Sequence, residues 1–287
     1  MLTGRLPGEG PVEFGPVSLP AGKLITRNPG PDHVAWVTVN PVPGSGRVWA
    51  ALSELHPQTG LVPVQLDGPR IDSLFHGDRH GLPGDALRPW DNAEFGRPQD
   101  LREADAIDVG ALLGNLWRGE VRADVDDPEE TERWAPFTLE WPGLAEPEHT
   151  PLTLTEREHA LDMVLPGIRR ANLATPDARI GLIRAGRPAD VLAAIGWEGL
   201  ANRGEEALMP LIAMLRSWED RFGARLIDVG FADLRLLVER PPRTIEAAER
   251  LAAEQALLAD DCIDGSRDVP DIAPRLVNAP VWTFWWD

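Results

Sequence analysis

Hydrophobic positions along this chain follow two patterns: short runs cut by Pro or Gly, and longer stripes at helical spacing. Residues 12–19, 23–26 and 34–39 are short apolar or alternating runs, and each reads as a strand bounded by breakers. The period changes at residues 47–56. Val48, Ala51, Leu52 and Leu55 share one helical face, and Pro57 is expected to stop that helix. Residues 61–66 are apolar and short, which predicts a strand. Residues 67–103 are polar, rich in Gly, Pro and Asp, and show no period, which predicts a long surface loop. Val109, Leu112, Leu113 and Leu116 then predict a helix over 109–117, with Asp108 as its N-cap. The composition of residues 146–151 is that of a linker. It sets the expected boundary between an N-terminal mixed α/β region (1–148) and a C-terminal domain (149–287).

The second half is more regular. Thr155 is placed to cap a helix over 155–165, and residues 179–184 form a strand pattern. Gly186 turns the chain, Pro188 opens a short helix, and Gly196 closes it. Pro210 opens a longer helix whose stripe is Leu211, Ile212, Leu215, Trp218 and Phe222, with Gly223 at the left-handed C-terminal position. Strands over 225–229 and 234–238 predict a hairpin. Thr244 caps an Ala/Leu-rich helix reaching about residue 259. The closing run puts Trp282, Phe284 and Trp286 on one face and Val281, Thr283 and Trp285 on the other, so a strand inside the sheet is expected. The order β-α-α-β-β-α-β predicts an α+β fold. With one helix counted as an insertion, it matches a split βαβ, ferredoxin-like sandwich.

Charge narrows the function classes. There are 46 acids against 28 bases, a formal net charge of −18. A field of that sign repels polyanions, which argues against nucleic acid and against an anionic membrane surface. The acids outnumber the bases 24 to 12 through residue 150 and 22 to 16 after it, so the first half is the more acidic. Cys262 is the only cysteine, which excludes an internal disulfide and a thiol-rich metal site. No segment approaches the roughly 18 apolar residues of a membrane span. The N-terminus also lacks a signal-like apolar run, so a bacterial cytosol is the expected setting.

Candidate chemistry is sparse. Asp72, His76, Asp78 and His80 could ligate a metal, but their spacing matches no standard motif and suits a solvated loop equally well. Arg184 and Arg187 flank a strand–turn–helix that could hold an anion. The three glycines of a dinucleotide loop are absent there, and no cofactor is expected. Arg216, Glu219, Asp220 and Arg221 line the polar side of the helix that carries Trp218. They read as a recognition face or as solvated pairs such as Arg216 with Asp220. Trp197, Trp218, Trp282, Trp285 and Trp286 read as a shared core or as an aromatic groove. Asp287 would bring two carboxylates next to Trp286. The only histidines after residue 148 are His149 and His159, and no Ser-His-Asp or Cys-His order stands out.

Four features of the second half carry a family resemblance. They are Gly196-Trp197, the stretch from Leu215 to Ala224, Pro241-Pro242 before an alanine-rich helix, and the terminal Trp282-Thr-Phe-Trp-Trp-Asp287. Together they resemble a bacterial family known as domain of unknown function 4253, over roughly residues 179–287. The regions around Trp49, Trp117 and residues 141–145 look like the segment that precedes this domain in long actinobacterial members. The resemblance implies no activity. Members tend to carry Ala-Ala-Glu-His and a Cys-Pro-Asp stretch at the third helix. Here the first reads Ala252-Ala-Glu-Gln255 and Cys262 follows Asp-Asp, so a role needing that histidine or that cysteine setting has no carrier. The resulting expectation is a non-catalytic binding protein with an acidic surface that neutralises a basic protein partner. The alternative is an enzyme or small-molecule binder whose cleft is lined by Trp, Arg and carboxylates.

Overall fold

The computed structural model describes residues 4–26, 33–66, 99–123, 132–137, 140–163, 178–197, 199–200, 203–230, 232–259, 261–262 and 268–286. It is a mixed α/β fold whose strand pairings are mostly antiparallel. No helix among the described residues is long and apolar enough to cross a membrane.

The chain divides into two compact units that are not its sequential halves. One comprises residues 1–100, 158–201 and 226–234; the other comprises 101–157, 202–225 and 235–287. Each unit therefore draws on both sides of the expected 148/149 boundary.

In the first unit, β1 (Gly10–Phe14) and β2 (Val17–Thr26) form a hairpin closed at Phe14↔Val17. β2 pairs with β3 (His33–Thr38). Helix α1 (Ser45–Thr59) runs through Pro57 rather than stopping there. A proline in the last turn removes one amide bond, while the Gly60 N–H still reaches the His56 carbonyl and the Thr59 hydroxyl reaches that of Leu55. β4 (Leu61–Leu66) follows, buried along its whole length. β5 (Arg179–Arg184) lies between β3 and β4, antiparallel to both, with Trp36↔Leu182 on one side and Val64↔Gly181 on the other. Residues 226–229 of β6 (Ala224–Val229) run parallel to β4, with Gln65 opposite Asp228. A side chain at Gly22 would place its Cβ 2.2 Å from the Trp36 ring, so only glycine lets the buried indole lie on β2. The Trp36 N–H donates to the Gly8 carbonyl at 3.0 Å.

These pairings correct the split βαβ expectation. A ferredoxin-like sandwich made from residues 149–287 alone would put β5 beside a strand of its own half. Here β3 and β4, both from the N-terminal half, occupy its two edges.

In the second unit, α2 (Arg102–Ala106) leads into α3 (Val109–Ala123). The Asp108 carboxylate caps α3 by accepting the Ala111 N–H at 3.0 Å, as expected. The next helix, α4 (Leu154–Met163), begins in this unit and is capped by Thr153, not Thr155. Its hydroxyl accepts the Glu156 N–H while the Glu156 carboxylate accepts the Thr153 N–H, a reciprocal capping box. The expected short helix is a 3₁₀ turn, Pro188–Asp190, followed by α5 (Val191–Ile195) in the first unit.

Helix α6 (Leu208–Phe222) buries the expected stripe and ends at Gly223, whose φ of 63° is left-handed. β7 (Asp233–Val238) follows the turn closed by the Gly230 N–H on the Asp233 carbonyl. The Thr244 side chain caps α7 (Ile245–Ala256). After β8 (Asp261–Cys262) comes α8 (Val269–Leu276), which has no counterpart in the sequence reading and carries Pro270 in its first turn and Pro274 inside it. β9 (Val281–Trp285) lies between β7 and β8, an interior strand as expected. Only one of its faces is fully buried. Trp282 and Phe284 are enclosed, while Val281, Thr283 and Trp285 are half-exposed.

Candidate functional site

The polar centre of the second unit is a carboxylate that the sequence reading passed over. Glu254 sits near the end of α7 among Leu251, Ala252, Ala253 and Ala256, all buried, and is itself fully buried. Helix α6 supplies its partners from two positions three apart, which share a face. Trp218 Nε1 donates to Oε2 at 2.8 Å. Arg221 grips both oxygens, Nη1 to Oε1 at 2.8 Å and Nη2 to Oε2 at 2.7 Å. The fourth donor is the Ala145 N–H, 2.7 Å from Oε1. A carboxylate offers roughly four lone-pair sites, so Glu254 has reached its capacity.

Arg221 is as heavily engaged. It also donates through Nη1 to the Ala145 carbonyl at 2.9 Å and through Nε to the Ser217 hydroxyl at 3.1 Å. Bidentate arginine–carboxylate pairing is among the strongest polar contacts available, and burial of the charges is tolerated only when it is this complete. The cluster's chemical capacity is therefore to hold the 140–148 segment against α6 and α7. It has no spare lone pair on Glu254 to offer a substrate.

Other residues singled out from the sequence are scattered. Arg216 pairs with Asp105 at 2.5 Å. The side chain of Glu219 is half-buried, and its carbonyl accepts the Gly223 N–H. Trp286 is buried and donates to the Leu258 carbonyl at 2.8 Å. Trp218 stacks on Phe284 with centroids 5.2 Å apart and meets Trp282 edge-on at 5.9 Å, so these aromatics form a core. Trp197 lies in the first unit, buried, with its N–H on the Gly230 carbonyl at 3.0 Å. Local patterns show which tryptophans are buried but not which unit each one belongs to.

Arg184 is exposed and donates to the His33 carbonyl, while Arg187 precedes only a 3₁₀ turn and the five-residue α5. Asp72, His76, Asp78, His80 and Asp287 lie outside the described residues. Among the described residues no group of three or more His, Cys, Asp or Glu is placed to hold a metal ion.

A second tryptophan cluster in this unit was recognised only as isolated positions. Trp117 on α3 packs against Trp134 (centroids 4.9 Å), Trp141 (5.4 Å) and Phe137 (6.2 Å). Gly114, one turn before Trp117, leaves α3 bare where Trp141 lies against it. In the first unit, Gln65 is fully buried with no hydrogen-bond partner for its amide, opposite Asp228.

Residues 179–287 match the family described as Domain of unknown function (DUF4253). The DUF4253 segment contains Trp197, Trp218, Arg221, Glu254 and Trp286, but not Ala145, which supplies two of the bonds at the Glu254 centre. It also begins with β5, whose two neighbours precede it in the chain. No curated protein and no solved structure gives a match.

Proposed function

We propose that this chain is a non-catalytic cytosolic binding protein whose acidic surface receives a basic protein, in the manner of an immunity protein neutralising its target. The observation that supports it is where the arginines point. Arg179 donates to the Val39 carbonyl, Arg184 to that of His33, and Arg240 to those of Glu148 and Asp220. Arg221 is enclosed with Glu254, Arg225 faces Glu239 at 3.2 Å, and Arg243 holds Asn278 and approaches Glu156. Carboxylates such as Glu9, Glu13, Glu54, Glu103, Glu120 and Glu146 stand exposed. These arginines are tied to the protein's own oxygens; others, such as Arg5, Arg47 and Arg250, are exposed, but over the whole chain acids outnumber bases 46 to 28. Such a surface attracts cationic proteins and speeds their encounter.

The test is association kinetics with proteins captured from the native host and then purified. The expected result is a basic partner whose association rate falls steeply as salt rises from about 0.05 to 0.5 M, because the Debye length shrinks below about 10 Å over that range. A partner that is neutral or acidic, or whose association is insensitive to salt, overturns the proposal.

A further inference from the structure

We propose that the cluster of Trp117, Trp134, Phe137 and Trp141 is a binding site for a small aromatic carboxylate. Trp117 and Trp134 are buried, and neither indole N–H has a hydrogen-bond partner. Trp36, Trp49, Trp197, Trp218 and Trp286 each donate to a carbonyl or carboxylate oxygen at 2.8 to 3.0 Å, while Trp282 also lacks an acceptor but stands alone, edge-on to Trp218, with no second unpaired indole beside it among the described residues. Two buried donors side by side call for an acceptor.

The surroundings choose the class. The four side chains present aromatic faces and edges, which suit contact with a flat ring. Phe137 and Trp141 are half-buried, so the cluster reaches the surface. The Arg133 guanidinium lies 4.7 Å from the centre of the Trp134 ring and 3.8 Å from Asp268. It already fills the cation slot that an aromatic cage would otherwise offer, and it brings positive charge to the pair of N–H groups. A cationic ligand is therefore disfavoured, and an anionic acceptor is favoured.

Edge-to-face packing offers a ligand-free alternative, in which one indole N–H points into the neighbouring π face. The experiment separates the two using the full chain and three probes with one ring: 1-naphthoate, 1-naphthalenemethanol and 1-naphthylmethylammonium, measured by calorimetry. Indole N–H resonances are followed by NMR, with Trp117→Phe and Trp134→Phe identifying the two signals. The expected result is binding of the carboxylate alone, with both signals moving downfield. Each Trp→Phe change should weaken binding about tenfold, the value of one hydrogen bond to a charged group. Arg133→Gln, which leaves the rings in place, should weaken it similarly and covers the case in which a Trp variant fails to fold. Binding should strengthen as salt screens the net charge of −18, the opposite of the trend expected for a basic protein partner. The inference is overturned by no binding of the naphthoate, by equal binding of all three probes, or by binding that ignores all of these substitutions.

Discussion

The second unit holds two tryptophan clusters whose central indoles, Trp218 and Trp117, differ in what they donate to. The Glu254 carboxylate is fully partnered: the Trp218 N–H, two guanidinium arms and a backbone amide converge on its two oxygens. Around Trp117 the aromatic packing is as close, yet two indole N–H groups are enclosed with no acceptor. The same residue type thus serves once as a donor in a closed network and once as a donor awaiting one. Counting hydrogen bonds distinguishes Trp218 from Trp117, whereas burial does not.

The largest effect that could break this comparison is at Arg221. Replacing it with Met leaves Glu254 buried without its counter-charge, and chemical denaturation should show a loss of about 3–5 kcal/mol. Adding Glu254→Leu to Arg221→Met should recover much of that loss, since an apolar pair of similar volume often matches a buried ion pair. If the double variant is no better than the single, the carboxylate is not what the arginine stabilises. Next comes a matched pair of changes. Trp218→Phe removes a donor that has an acceptor and should cost about 1–3 kcal/mol. In the absence of ligand, Trp117→Phe removes a donor that has none and should cost clearly less by the same measurement. Equal losses would erase the distinction.

The smallest effect lies at the periphery. Thr153→Ala removes the α4 cap and should cost about 1 kcal/mol in thermal unfolding. A pH dependence accompanies it. The Glu156 carboxyl is held below its ordinary value of 4.5 by the Thr153 N–H and then its hydroxyl, and Glu148 is held below it chiefly by the Thr150 N–H. Both contribute stability that is present above 4.5 and lost as the pH falls through their lower folded values. Glu249 works in reverse. Burial first, then Glu246, raise its carboxyl above 4.5, so its contribution is present in acid and lost as the pH rises through that raised value. Glu156→Gln should flatten the acid limb of a stability profile below pH 4.5, while Glu249→Gln should change the limb above it. An unchanged profile in both variants would show that the acid response arises elsewhere.

Much of the secondary structure was legible in the sequence because local chemistry decides it. The α6 stripe, Gly223 at its end, the Thr244 cap and the Asp108 cap are each set by a few neighbouring residues. The stop expected at Pro57 was misplaced. Pro57, Pro270 and Pro274 all sit within helices, because a proline in a first or last turn removes few bonds. Glu254 was missed because its partners are 33 and 109 positions away, and an acid in an exposed-looking helix reads as solvated. A signal was present nonetheless. Residues 251–256 offer Leu, three Ala, Glu and Gln, and small residues all round a helix announce close packing on every side, including the side that carries the charge. The pairing of β5 with β3 and β4 left no trace in local spacing, because strand partners are chosen by tertiary packing.

The position of β5 also bears on how this chain could be taken apart. Residues 179–287 match one family, yet their first strand lies between two strands that precede them in the chain. Excised on their own, they would begin with a strand, Arg179-Ile-Gly-Leu-Ile-Arg184, stripped of both neighbours and offering two open rows of backbone donors and acceptors to any chain nearby. Such a fragment invites self-association, and a gene rearrangement that moved it to a new host protein would have to bring along two strands encoded more than a hundred codons upstream.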